Sequence, residues 1–299
     1  MLFWVNTFKG ELAALGAALI WAIASFIYLK LGQRMSPIVL NSAKSTIAIL
    51  MIGLTLLAMR LEPAFTWQSL SLLVVSGAIG IGLGDSAFFS SINTLGPRRA
   101  LLMESLAPPL TALIAMAVLQ ERLGAIAWCG IFLTVTGVAW VVAEREADVG
   151  GDRSHVGRGV LMGLAAALCQ AVGSVCSRAA LADTTVSPIW STLIRLVAGV
   201  LVLAIWLGAQ PAPLKELRWL RSPRFLAVIV VTAFAGTFIG IWLQQIALKF
   251  TAAGIAQSLN STSPLFVLPI ALWAGERVSL RSVLGVIVAL TGIWLLFRG

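Results

Sequence analysis

The stretch LAPPLTALIAMAVLQERL, residues 106–123, sets two prolines into an apolar run that stops at Glu121-Arg122. The stretch TSPLFVLPIALWAGERV, residues 262–278, repeats the phrase. Pro109 and Pro264 are each followed twelve residues later by Glu-Arg, and the two copies lie 155 residues apart. Charge and proline are both costly inside apolar helices. A chain that writes this phrase twice is built twice.

Other landmarks recur in pairs at the same or a nearby spacing. Gly130 and Gly137 answer Gly285 and Gly292, again 155 residues on. Ser36-Pro37 and Ser187-Pro188 each open an apolar segment, and proline suits a first helical turn because its missing N–H has no partner there. Lys44 and Arg195 then stand at the same depth in those two segments. Gly80 and Gly84 match Gly236 and Gly240 as small-xxx-small spacings that permit close helix contact.

Composition identifies the solvent around the repeats. The 299 residues are 59% hydrophobic and 11% charged, with mean hydropathy +0.97. A soluble domain carries roughly a quarter charged residues, so too little polar surface remains to coat a globule in water. Breaking at proline, glycine and charge clusters gives ten segments: 10–31, 37–59, 68–93, 99–119, 123–143, 157–181, 187–207, 224–249, 253–274 and 279–297. Most are near the 20 residues a helix needs to cross about 30 Å of hydrocarbon. Lipid cannot satisfy open strand edges, so an all-helical bundle follows.

The polar run at 144–156 divides the chain into five-helix halves, 10–143 and 157–297. Five is odd, so the second half enters the membrane from the opposite side. The expected architecture is an all-α integral membrane protein of ten transmembrane helices in two inverted five-helix repeats, an arrangement common in secondary transporters.

The net charge of +9 is no nucleic-acid footprint, because the Arg and Lys stand singly or in pairs at segment ends, where they anchor to headgroups. MLFWVNTFKG lacks the basic start of a cleavable signal, so the first helix is expected to serve as signal and anchor together. Cys129, Cys169 and Cys176 all fall in apolar segments and read as small packing residues. There is no G-x-x-x-x-G-K-[ST] phosphate loop, and His155, the single histidine, lies in the polar run. Neither a metal nor a cofactor is expected, and a Ser-His hydrolase is disfavoured.

Here the residues meet a family. Trp-Ala-Ile-Ala-Ser at 21–25, the basic residue in the second segment, and ALKFTAAGIAQSLNSTSPLFVLPIALWAGERVSLRSVLGVIVALTGIWLLF at 247–297 resemble the EamA-type transporters of the drug/metabolite transporter superfamily. The likeness covers essentially the whole chain and is strongest at Pro264…Gly275-Glu276-Arg277…Gly285…Gly292. The family pattern usually ends the fourth helix with Leu-Gly-Glu; this chain has Leu119-Gln120-Glu121 there and Ala274-Gly275-Glu276 in the later copy. Lys44 stands where the family commonly shows arginine. The resemblance implies ten helices in paired repeats and export of small metabolites, often amino acids.

An ionisable group inside the hydrocarbon marks function by default. At 1.5 Å per residue, Lys44, Asp85 and Glu104 lie roughly 10, 12 and 8 Å from the face reached after the first segment. Arg195, Gln244, Gln245, Gln257 and Asn260 lie roughly 6–12 Å from the opposite face. On one reading they line the two ends of a central cavity, where basic groups hold a substrate carboxylate and Asp85 or Glu104 carries a coupling proton. On the other, Lys44 only neutralises Asp85 or Glu104 and fixes packing. Arg195 has no carboxylate at its depth in its own repeat and is the preferred anion contact.

Trp21, Ser25 and Tyr28 share one helical face, as do Gln170, Ser174 and Arg178. Trp21 and Trp242 stand well inside, away from the interfacial aromatic belt. These stripes would cradle an amphipathic solute, or they are bundle packing. Glu121 and Glu276 close their helices at the interface, where glutamate opposes the helix dipole. Each therefore needs a partner, such as a following loop or helix start.

The expected substrate-binding set is Trp21, Ser25, Tyr28, Lys44, Gln170, Ser174, Arg195, Trp242, Gln245 and Asn260, with Asp85 and Glu104 for proton coupling. The expected activity is alternating-access export of a small amphipathic metabolite, an amino acid or related compound, across a bacterial inner membrane. The expected partners are the solute, with or without a proton, and membrane lipid; nucleic acid is not among them, and the state is monomer or homodimer. The rivals are a lipid or lipid-linked flippase and a metal-free membrane enzyme using Asp85 and Lys44. Lys and Arg are about twice as frequent near segment ends on the face reached after the first segment, which places the termini outside; the family resemblance places them in the cytoplasm.

Overall fold

The computed structural model describes residues 7–32, 35–95, 97–144, 156–208, 219, 221–273 and 280–298, all helices and connections with no strand among them. The polar run 145–155 with His155, and Glu276-Arg277, lie outside the described residues. The first half comprises α1 (Lys9–Gly32), α2 (Pro37–Met59), α3 (Trp67–Gly77), α4 (Asp85–Leu95), α5 (Pro97–Glu104), α6 (Ala107–Val118) and α7 (Ala125–Glu144). The second comprises α8 (Val156–Leu181), α9 (Pro188–Gly208), α10 (Pro223–Thr232), α11 (Gly240–Phe250), α12 (Ala253–Asn260), α13 (Ser263–Trp273) and α14 (Leu280–Leu296). A π-helix, Ala78–Gly84, joins α3 to α4, and another, Ala233–Ile239, joins α10 to α11.

Among the described residues, seven helical stretches are long and apolar enough to cross a membrane: Ile38–Met59, Trp67–Leu95, Ala100–Val118, Ala125–Ala143, Val156–Leu181, Pro188–Gly208 and Pro223–Phe250. The other three expected segments correspond to α1, to the pair α12–α13 and to α14. The side chains are arranged for lipid. Leu57 and Ile205 are 77% and 76% exposed, whereas Arg195 and Gln245 rank among the largest fully buried side chains.

Two segments expected to be continuous are broken. Residues 99–119 divide at Ser105-Leu106, and 253–274 divide at Ser261-Thr262. The prolines explain both breaks. Pro108 and Pro264 lack an N–H, and each ring would meet the carbonyl four residues back, that of Glu104 or Asn260. Ser263 Oγ donates to the freed Asn260 carbonyl at 3.3 Å, and at the breaks themselves Ser105 Oγ donates to Leu102 O and Ser261 Oγ to Ser258 O, each at 2.7 Å. Pro108-Pro109 and Pro264 therefore lie in the first turns of new helices instead of interrupting old ones.

The repeated glycines pack against one another. A Cβ on Gly137 would collide with the backbone of Ala289 and Gly285, and one on Gly292 with Thr134 and the Gly130 carbonyl. Numbers rise along α7 as they fall along α14, so these helices run antiparallel, with Gly130 facing Gly292 and Gly137 facing Gly285. Equivalent positions of the two halves thus exchange partners across one contact. At the other glycine pair, Gly80 lies against Gly173 of α8, and Gly240 lies against Trp21 of α1.

Candidate functional site

Both π-helices face the middle of the bundle. Inserting an extra residue into a helical turn shifts register and loosens the hydrogen-bond ladder, and such turns recur at functional sites. Trp21 of α1 uses this loosening: its Nε1–H donates to the Gly236 carbonyl at 2.8 Å. In the first half, Gly77 lets α3 meet the Arg195 backbone directly, and Gly80 leaves room for the guanidinium. A Cβ on Gly80 would stand 3.4 Å from Arg195 Nη2 and 3.7 Å from Gln170 Oε1.

The result is a cavity of about 170 Å³ between the halves. Trp21, Asn41, Lys44, Ser45, Ile81 and Asp85 line it from the first half, and Gln170, Arg195, Gly236, Thr237, Ile241 and Gln244 from the second. Asn41, Lys44 and Ser45 lie on one face of α2 at i, i+3 and i+4. Asn41 Nδ2 donates to Asp85 Oδ2 at 2.9 Å. Arg195, 2% exposed, donates from Nη1 to Gln244 Oε1 at 3.4 Å, while its Nε has no hydrogen-bond partner. Asn41 Oδ1 and Ser45 Oγ are likewise buried without a partner.

This geometry corrects the expected two-ended arrangement. Lys44, Asp85 and Arg195 share one cavity instead of occupying opposite ends. Depth counted from helix ends ignores tilt and the register change of the π-turns. Asp85, from the other half, supplies the carboxylate near Arg195 that its own repeat lacks.

The remaining expected residues fall elsewhere. Glu104 ends α5 and is not among the residues lining the cavity, although its charge and that of Asp85 are near enough to interact. Ser174 Oγ donates to Gln257 Oε1 at 3.1 Å, and Ser191 Oγ donates to Gln245 Oε1 at 2.7 Å, so Ser174 and Gln245 join helices away from the lining. Trp242 packs on Phe238 with ring centroids 6.1 Å apart. Asn260, 4% exposed, stands at the α12–α13 break with neither amide atom partnered. Ser25 and Tyr28 lie on α1, with side chains outside the described residues. Asn41 and Ser45 were missed. Their signal was the polar stripe they form with Lys44, which short side chains made easy to pass over.

A second polar cluster closes one end of the bundle, where α6, α8 and α11 finish. Arg178 Nε donates to Glu121 Oε1 at 2.6 Å, and its Nη1 donates to the carbonyls of Leu248 and Lys249 at 3.0 and 2.9 Å. Glu121 Oε2 accepts the Ala253 N–H, at the first residue of α12, at 2.9 Å. Glu121 thus has its helix-start partner, on the other half of the chain. It stands beyond α6 rather than in its last turn, because Gln120 adopts the left-handed conformation (φ 56°) and turns the chain away. Arg178 belongs to this cluster and not to the cavity.

The sequence profile of the EamA-like transporter family matches the chain twice, over residues 8–143 and 157–298. The chain belongs to the EamA-like transporter family. This EamA protein is therefore an integral membrane protein of the drug/metabolite transporter type. A solved structure titled "Crystal structure of protein" superposes with TM-score 0.78 at 20% identity, covering 96% of each chain, which shows a shared fold. No curated protein matches the chain by sequence.

Proposed function

We propose that this transporter exports small amphipathic metabolites, amino acids or related compounds, by alternating access across a bacterial inner membrane. The observation that carries the reading is the composition of the cavity: six lining residues from each half, two cations, one carboxylate, amides and an indole. A site shared equally by two repeats is what alternating access requires, because rocking one half against the other opens it to either side. Its volume of about 170 Å³ falls below the roughly 300–1,000 Å³ typical of drug-sized pockets. A small solute fits that scale.

The antiparallel glycine contact between α7 and α14 supports inverted repeats. Packing equivalent helices antiparallel with exchanged partners calls for a two-fold axis perpendicular to them, hence in the membrane plane. Ten crossings follow if α1, α12–α13 and α14 also span. In this reading Arg195 and Lys44 hold the substrate carboxylate, and Trp21 and Gln170 flank it. Asp85 carries the coupling proton, with Glu104 behind it outside the lining. A proton and a substrate ammonium compete for one carboxylate, which couples their movements. The broken helices α5–α6 and α12–α13 are of the kind that transporters place beside their sites.

The test is solute counterflow in proteoliposomes containing the purified protein, run over a panel of amino acids, organic acids and lipid analogues. Exchange of small carboxylate-bearing amines supports the proposal. Exchange of lipid analogues alone would replace it with a flippase.

A further inference from the structure

The glycines around the cavity are not alike. A Cβ on Gly77 would collide with the Arg195 backbone, one on Gly82 with Val202, one on Gly199 with Ile81 and one on Gly240 with Trp21. Packing alone excludes a side chain at these places. Gly80 differs. The nearest atoms to a Cβ there would be Arg195 Nη2 at 3.4 Å, Gln170 Oε1 at 3.7 Å and Gly173 Cα at 3.8 Å, ordinary van der Waals separations. Gly80 also lies in the helical backbone of the π-turn Ala78–Gly84, where alanine is the more stable residue because glycine loses more freedom on ordering. Neither packing nor backbone conformation calls for glycine at 80. Its lack of a side chain leaves a methyl-sized recess.

The recess belongs to the cavity wall, because Arg195 and Gln170, two of its three bounding residues, both line the cavity. The space beside the second π-helix is taken by Trp21, whose Nε1–H donates to the Gly236 carbonyl. Gln170 follows Ala166-Ala167-Leu168 as Trp21 follows Ala17-Ala18-Leu19, and its shorter side chain leaves the space beside the first π-helix open. The guanidinium that bounds the recess is under-satisfied. Arg195 is 2% exposed; among the described residues its Nη1 meets Gln244 Oε1 only at 3.4 Å, and its Nε has no partner. A buried guanidinium so weakly held gains most from an acceptor brought by the solute. Ionised Asp85 and Glu104 match the charges of Lys44 and Arg195, so hydrogen bonding and space set the selection here, not surplus charge.

Resting on the reading of this cavity as the substrate site, we propose that Gly80 is a specificity-determining residue. The recess it leaves receives the substrate carboxylate, which accepts from Arg195 Nη2 beside Gln170. A methyl group at position 80 would occupy that space without disturbing the fold, so substrate binding and stability part company there. Gly77, Gly82 and Gly199 cannot make this separation, because a side chain at any of them displaces protein atoms first.

The test compares Gly80→Ala with wild type in proteoliposomes of the full chain. Counterflow of labelled alanine, threonine, glutamate and phenylalanine is measured, with thermal unfolding in detergent alongside. KM for each exchanged probe should rise roughly tenfold or more, the scale set by one extra methylene in a fitted pocket, while the unfolding temperature stays at or above the wild-type value. Adding Gln170→Ala to Gly80→Ala widens the recess from its other side and should restore much of the lost affinity. Failure of that rescue would mean that the methyl acts by shifting Arg195, and would overturn the recess. An unchanged KM in folded Gly80→Ala would overturn the inference while leaving the amino-acid reading intact. A lower unfolding temperature, or no folded protein, would show that packing explains the glycine and would overturn it too. If the wild-type protein exchanges none of the four probes, both readings fall together.

Discussion

Asp85 directly follows the π-helix of the first half and Gly240 directly follows that of the second, so the structure pairs these two positions, one residue away from the Gly84–Gly240 pairing suggested by glycine spacing. The backbones agree at these points and the side chains do not. The reason is steric. A Cβ on Gly240 would lie 2.5 Å from Trp21 Nε1, so the indole fills the space that Asp85 uses across the bundle. Where the first half offers Trp21 to the second, the second offers the smaller Gln170 to the first, in the matching runs Ala17-Ala18-Leu19 and Ala166-Ala167-Leu168. The cations are kept in both halves, as Lys44 and Arg195, while the lining carboxylate is not. The two repeats make a symmetric scaffold, and different side chains at a few lining positions make the cavity between the halves chemically one-sided.

The largest effect should come from removing the single lining carboxylate. Asp85→Asn should retain solute exchange at a reduced rate and lose accumulation driven by a pH gradient altogether. Glu104→Gln, outside the lining, should lose less. Unchanged pH dependence in both single variants and in the double variant would remove the carrier assignment.

The next test imposes symmetry. Gly240→Asp should destabilise the protein by about 3 kcal/mol, because the added side chain must displace an indole held by Gly236. Trp21→Gln in the same chain should recover part of the loss. Thermal unfolding in detergent measures both. A Gly240→Asp protein as stable as wild type would show that Trp21 does not enforce the asymmetry.

A smaller effect separates the two Glu-Arg phrases. Glu121 pairs with Arg178, but the position equivalent to Arg178 in the first half is Leu29. The pair is 17% and 15% exposed, so Glu121→Gln should cost about 2 kcal/mol, below the loss for a fully buried ion pair. Glu276→Gln should cost less. Equal losses would mean that Glu276 has an equally strong partner.

The smallest effect concerns the residue before each glutamate. Gln120 holds a left-handed conformation that favours glycine, and Gly275 stands at the equivalent place. Gln120→Gly should therefore stabilise the protein by up to about 1 kcal/mol, reduced by loss of the Gln120 Nε2 bond to Ala117 O at 2.9 Å. A lower unfolding temperature would show that this bond outweighs the backbone strain.

Much of the scaffold was legible because lipid imposes length on hydropathy. The expected segment at 68–93 is found as Trp67–Leu95, and that at 157–181 as Val156–Leu181. The repeat was legible because Pro109, Glu121, Gly130 and Gly137 each have a partner at one fixed spacing. The π-turns were not, since a change of register leaves no mark on composition. Nor were the breaks at Ser105 and Ser261, where a proline could equally have kinked a continuous helix. In the site, charge made Lys44, Asp85 and Arg195 conspicuous, but counting residues from helix ends set Arg195 apart from the other two. Short polar side chains hid Asn41 and Ser45. Ser174 and Gln245 have the polarity of cavity residues, yet each bonds another buried side chain, Gln245 through Oε1 while its Nε2 stays unpartnered.

Both halves bring charge to one cavity, and the proposed anion contact there is Arg195. The most direct measurement is substrate affinity in folded Arg195→Lys protein, with thermal stability recorded alongside. Lysine keeps the charge but not the planar, forked donor geometry that matches a carboxylate. Affinity for the exchanged carboxylate substrate should fall by roughly tenfold or more, while the unliganded variant still unfolds cooperatively. Wild-type affinity in the folded variant, with or without a drop in unfolding temperature, would contradict it and leave Arg195 as a structural residue.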